Sequence, residues 1–263
     1  MKLGLSGKVA LVAASSSGLG KEVVFQLASE GCNIVMCSRS EERITKAAED
    51  IRDKTGANIL PIVADVTKEE DVRSLFSQTL EKFGRVDILV VNSGGPPSGT
   101  FLDFTSQDWR SAIDLNLMSS IYLARAAIPA MLKQRWGRIV FITSVSVKQP
   151  IANLILSNVA RSGVTALAKS LSNEFGKDGV LVNVVCPGYT QTERVISLAK
   201  DLASKENSSP EEIMKGWSSL NAVQRLATVD EFASVVTFLA SERASHVTGV
   251  VIQVDGGYVK SLF

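Results

Sequence analysis

The stretch Val9-Ala10-Leu11-Val12-Ala13-Ala14-Ser15-Ser16-Ser17-Gly18-Leu19-Gly20 decides the fold. An apolar run ends in a serine cluster and two glycines. Lys21 to Ala28 then carries apolar residues at helical spacing. This is the pattern of a buried strand, a tight turn and a helix start. Such a turn aims unpaired backbone N–H groups outward at the positive end of the helix dipole, where an anionic diphosphate is stabilised. Glycine matters there because a Cβ would hold the phosphate away from the backbone. An ordinary strand–helix turn, with glycines for close packing, produces the same letters.

Outward from that turn, strand and helix signals alternate. Asn33 to Cys37, Ile59 to Val63, Val86 to Val91, Arg138 to Thr143, Leu181 to Val185 and Val250 to Val254 read as further short apolar strands. Thr67-Lys68-Glu69-Glu70 predicts a capping box and a helix to about Lys82; Thr105 with Asp108 and Thr228 with Glu231 predict two more. The strands lack clean apolar–polar alternation, so both sheet faces should be covered. Strand–helix alternation of this kind predicts an α/β fold, a single Rossmann-type doubly wound parallel sheet with helices on both faces. No polar linker interrupts it before Tyr189, so residues 1–263 read as one domain. Residues 190–222 break the pattern, with a helix start at Ser208-Ser209-Pro210 and apolar Met214 and Trp217. A long excursion after a strand's carboxyl end reads as a substrate lid or as a surface loop.

Two helices, about Trp109 to Gln134 and Leu156 to Phe175, look too apolar for a surface. A helix apolar around most of its girth is buried on more than one side. A second subunit, in a dimer or tetramer, is the expected partner; deep burial within one chain is the alternative.

Composition narrows the function. The chain has 28 basic and 27 acidic residues, a formal charge of +1, which marks it for neither nucleic acid nor a membrane surface. Its 45% apolar content is enough for a large core. Cys32, Cys37 and Cys186 follow no metal-ligand spacing, and an odd, sparse set fits reduced thiols in a cytoplasm. His246 is the one histidine, so a histidine metal cluster is excluded, and it reads as an ordinary loop residue. No segment reads as a membrane span, and residues 1–8 carry no signal-peptide apolar stretch.

Taken together, these motifs resemble the short-chain dehydrogenase/reductase family, near its β-ketoacyl-carrier-protein-reductase-like branch. Ala13 to Gly20 stands where the family has T-G-x-x-x-G-x-G. Asp65-Val66 is similar to its adenine-contacting pair. Val91-Asn92-Ser93-Gly94 stands for N-N-A-G, Asn116 for its active-site asparagine and Ser144 for its active-site serine. Pro187-Gly188-Tyr189-Thr190-x-Thr192 stands for the stretch that covers the nicotinamide. The resemblance implies a dinucleotide held by Ser15, Ser16, Ser17, Gly18, Leu19, Gly20, Ser38, Arg39, Asp65, Val66, Asn92, Gly94, Arg161, Pro187, Gly188 and Thr190, acting on a small-molecule carbonyl or alcohol. A carboxylate at position 38 would repel a 2′-phosphate. Ser38 is neutral and Arg39 offers a cation, so NADP is expected over NAD.

Three departures stand out. Ala14 replaces the first glycine of the turn, and Val91 replaces the first asparagine of N-N-A-G. The third is chemical. Thirteen residues after the serine, where the family has Tyr-x-x-x-Lys, this chain has Ser157-Asn158-Val159-Ala160-Arg161. The family's tyrosine hands a proton to the developing alkoxide, and a serine hydroxyl is a far weaker acid with a shorter reach. Arg161 keeps a cation, in planar rather than point-like form. Tyr189 is the best substitute acid, or else a packing residue. Ser144 reads as a carbonyl-oxygen donor or a strand-end cap, and Asn116 as support or a water holder. An NADP-dependent oxidoreductase with an altered site is the first expectation. A catalytically silent dinucleotide-binding oligomer is the second, and elimination or isomerisation in the same pocket a weaker third.

Overall fold

The computed structural model describes residues 2–262. Its strands are β1 (Val9–Val12), β2 (Asn33–Ser38), β3 (Ile59–Val63), β4 (Ile88–Val91), β5 (Gly137–Ile142), β6 (Val180–Pro187) and β7 (Val251–Val254). They form one parallel sheet in the order β3-β2-β1-β4-β5-β6-β7. The order reverses between β1 and β4, and in such sheets ligands bind in the crevice outside the strand ends at that reversal.

Side chains along each strand alternate between two apolar layers. Val9 and Leu11 face one layer, packed with α3 (Glu69–Phe83), α5 (Ser119–Gln134) and α6 (Ile155–Phe175). Ala10 and Val12 face the other, packed with α1 (Gly18–Ser29), α2 (Glu41–Thr55) and α9 (Val229–Ala240). Burial on both faces is why the strands lack polar alternation. A small third cluster, Ala199, Trp217 and Leu226, joins α7 (Glu193–Glu206) to α8 (Pro210–Ser219) within the segment that broke the sequence pattern.

Capping boxes form as read at Thr105/Asp108, which opens α4 (Ser106–Ile113), and at Thr228/Glu231. The one expected at Thr67 does not form. Thr67 Oγ1 donates to Asp65 Oδ1 at 2.8 Å, and α3 starts two residues later behind Lys68. The long apolar helix is also not continuous α-helix, because a π-turn at Asp114–Met118 separates α4 from α5. Contrary to the reading that nothing could span a bilayer, Ser106–Gln134 passes by length and composition, with a mean hydropathy of 1.3. The cause is its packing against the sheet and α6: Leu123, Ala127 and Met131 lie in the core.

Candidate active site

A cleft of about 570 Å3 runs across the carboxyl ends of the strands. Sheet order sets the order of its lining. Ser38 ends β2, the glycine turn follows β1, Asn92 follows β4, Ser144 follows β5 and Gly188 follows β6. From β2 to β6 is four inter-strand steps, about 19 Å at about 4.8 Å each, a span suited to an extended dinucleotide.

At the turn, Ala14 takes the left-handed conformation with φ +47°, and its carbonyl accepts from Asn92 Nδ2 at 3.1 Å. A non-glycine residue there costs on the order of 1 kcal/mol. Gly18, at φ +55°, opens α1. Gly20 has no room for a side chain, because a Cβ would lie 2.7 Å from the Ala14 carbonyl oxygen. Ser16, Ser17, Gly18 and Leu19 line the cleft. Ser15 does not: its Oγ donates to Val12 O at 2.8 Å and the residue is fully buried. Its backbone N–H is also engaged, with Cys37 O at 3.0 Å, so the cofactor-binding role expected of Ser15 is corrected to a structural one. Gly20 likewise serves by its smallness, behind the lining.

At the β2 end, Ser38 Oγ donates to Ser40 O. Arg39 is exposed and has no partner among the described residues. Asp65 and Val66 line the same end, and Asp65 Oδ1 accepts from Thr67.

The other end is built around the turn after β4. Asn116, in the π-turn and 1% exposed, donates from Nδ2 to Ser93 Oγ at 2.7 Å and Gly94 O at 3.0 Å. It supports the cleft wall from behind. Its Oδ1 is buried with no partner among the described residues. Arg161 is also buried. Its Nη1 donates to Ile142 O at 3.2 Å, and its Nη2 to Gly94 O at 3.2 Å and, more weakly, Ser93 O at 3.5 Å. The guanidinium thus ties the ends of β4 and β5 together. Burial pushes it down to about 10, so it remains a cation at neutral pH.

Ser144 Oγ accepts from Ser146 N at 3.1 Å, which leaves its proton free to donate into the cleft. Ser157 lines the same end with a hydroxyl that has no partner among the described residues. Tyr189 lines it too, but its ring stacks on Trp217, with centroids 4.6 Å apart. Burial, with Tyr258 adding to it, pushes its hydroxyl up to about 12. The ring is placed as a packing group, and burial makes the hydroxyl a weaker acid than free tyrosine. Pro187, Gly188 and Thr190 complete the wall. Cys186 lies just behind it, against Thr143 Oγ1, with burial raising its thiol.

Thr192, the last residue of the P-G stretch, caps α7 and lies 3.7 Å from where a Gly18 Cβ would sit. Two arginines of the lining escaped the sequence reading. Arg43 ion-pairs with Glu193 at 3.0 Å, and Arg194 donates from Nη2 to Pro96 O at 3.0 Å.

A family model described as enoyl-(acyl carrier protein) reductase matches residues 13–259. The 3-oxoacyl-(acyl-carrier-protein) reductase FabG of Aquifex aeolicus is 33% identical over 98% of this chain and 99% of its own. The chain belongs to the short-chain dehydrogenase/reductase family. Within that family, oxidoreductase YvaG of Bacillus subtilis is 32% identical over the full length of both chains. A solved structure, L-sorbose reductase from Gluconobacter frateurii complexed with NADPH and L-sorbose, superposes with a TM-score of 0.95 at 32% identity, covering all of both chains. The parallel sheet, the glycine turn and the cleft are therefore those of a nicotinamide-dependent oxidoreductase family.

Proposed function

We propose that this protein is an NADPH-dependent carbonyl reductase whose site stabilises charge on the substrate oxygen without a tyrosine acid. The observation that carries this reading is the trio at the inner end of the cleft. The Ser144 and Ser157 hydroxyls face it, and the Arg161 charge is buried behind them. The residues fit the cofactor. The side-chain-free turn at Gly18 and Gly20 and the amino end of α1 suit a diphosphate, and unpaired Arg39 beside neutral Ser38 suits a 2′-phosphate. When bound, the nicotinamide supplies hydride. The two serine hydroxyls donate hydrogen bonds to the carbonyl oxygen, and Arg161 stabilises its developing negative charge. Protons reach that oxygen from solvent through the open cleft. Residues 190–222 act as the lid, and Trp217 within them stacks on Tyr189.

Nicotinamide fluorescence tests the reading. NADPH should bind about tenfold or more tighter than NADH, and Arg39→Ala should erase most of that difference, since one charge-assisted contact is worth this much. Equal affinities would refute the assignment of Arg39. Binding with no turnover on a carbonyl panel would favour the silent reading, for which the lost tyrosine is the supporting observation.

A second copy of the chain on α5 and α6 belongs to the same proposal. Val159 is 48% exposed, and Leu117, Ile121, Tyr122 and Leu167 are only partly buried. Light scattering should give a mass of two or four chains, and a monomer would refute it.

A further inference from the structure

Two cations at the inner end of the cleft lack an anion. Arg161 is buried and, among the described residues, bonded only to carbonyl oxygens. Arg194, in the first turn of α7, reaches over the loop after β4. Its Nη2 donates to Pro96 O, and its Nε lies 3.4 Å from where a Gly95 Cβ would be. Neither arginine has an acidic partner among the described residues. Among the described residues, two carboxylates line the cleft. Asp65 stands at the far end, engaged with Thr67, and Glu193 is paired with Arg43.

A bound nucleotide would have other partners for its own anions, the amino end of α1 for the diphosphate and Arg39 at the β2 end for the 2′-phosphate. The same cleft offers the Ser144 and Ser157 hydroxyls and the apolar Ile151, Leu154 and Leu198. One edge of the guanidinium is held by Pro96. The rest of its planar fork is unpaired and matches the geometry of a carboxylate.

We propose that the substrate is a small oxo acid and that Arg194 binds its carboxylate while Ser144 and Ser157 hold the carbonyl to be reduced. This rests on the reductase reading and narrows it to an anionic substrate. The anion serves a second purpose, since it lowers the repulsion between two cations that face one cleft.

Calorimetry on the protein loaded with NADP+, which has no hydride to give, tests it, using a series of 2- and 3-oxo acids and their methyl esters. The wild type should bind at least one acid about tenfold more tightly than its ester. Arg194→Gln should remove that preference by weakening the acid alone, Arg194→Lys should restore part of it, and NADPH affinity should stay unchanged. Arg194 is exposed and outside the core, and an unaltered circular dichroism spectrum would establish that the variants are folded. Equal binding of acid and ester by the wild type would overturn the inference and leave the reductase reading standing. A loss of NADPH affinity in Arg194→Gln would also overturn it, by making Arg194 a cofactor residue. Failure of the wild type to bind NADPH would sink both.

Discussion

Restoring the family's pair with Ser157→Tyr and Arg161→Lys should raise kcat for carbonyl reduction about a hundredfold or more, the low end of what a positioned general acid contributes. Ser157 stands early in α6 with its hydroxyl open to the cleft, so the larger ring has a direction in which to extend. Lysine at position 161 supplies the ammonium that lowers a neighbouring tyrosine's pKa. It also gives up part of the fork that now holds Ile142 O and Gly94 O. Some thermal stability should therefore be lost as activity rises, and Ser157→Tyr alone should gain less than the pair.

The pH profile separates a new acid from a general improvement. In the wild type, Arg161 titrates at about 10 and Tyr189 at about 12, and serine does not titrate. Its rate should be flat between roughly pH 6 and 9, because no group that touches the carbonyl changes charge there. The double variant should instead lose rate as pH rises through the pKa of the introduced tyrosine, whose protonated form is the acid. A wild type that already matches the double variant would show that another group delivers the proton. A double variant that binds NADPH yet gains nothing would show that the cleft is not arranged for carbonyl reduction.

The parts of the site that were readable in the sequence are those fixed by backbone. The turn must be small and must open a helix, so Gly18 and Gly20 mark its place between β1 and α1. The ends of β2, β4, β5 and β6 are readable because apolar strands fix the sheet, and the sheet fixes which loops share an edge. What the letters did not carry depends on side-chain competition. Thr67 had a choice between capping α3 and bonding Asp65, and local spacing cannot rank the two. The π-turn is invisible to a 3.6-residue pattern, yet it aims Asn116 at Ser93 and Gly94. Tyr189 was placed correctly beside the cleft, but its stacking on Trp217 depends on how α7 and α8 fold back. Arg194 is hidden for the same reason, since it lies in the 190–222 segment that breaks the strand–helix alternation, where no periodicity says what a residue faces. Arg161 was legible as a cation, but its engagement with carbonyl oxygens from two strand ends required the assembled sheet.

Gly20→Ala should weaken NADPH binding by one to two orders of magnitude, roughly the effect of about 1–3 kcal/mol of overpacking strain at a binding turn. The added methyl would stand 2.7 Å from the Ala14 carbonyl oxygen, 3.0 Å from Asn92 Nδ2 and 3.0 Å from Ser15 Cα. Two of these three contacts are backbone, which cannot swing aside as a flexible side chain would. The Ala14 carbonyl is held by Asn92, and Ala14 itself already sits in the left-handed region, so the turn has little freedom to yield. The first turn of α1 would have to move instead, carrying with it the N–H groups meant for the diphosphate. Adding Ala14→Gly to the same chain removes the left-handed cost of about 1 kcal/mol and lets the carbonyl retreat. The double variant should recover part of the lost affinity, whereas Ala14→Gly alone should leave binding nearly unchanged and slightly raise the melting temperature. Fluorescence titration with NADPH reads all three. Wild-type affinity in Gly20→Ala would mean that the main-chain amides of this turn are not what grips the nucleotide.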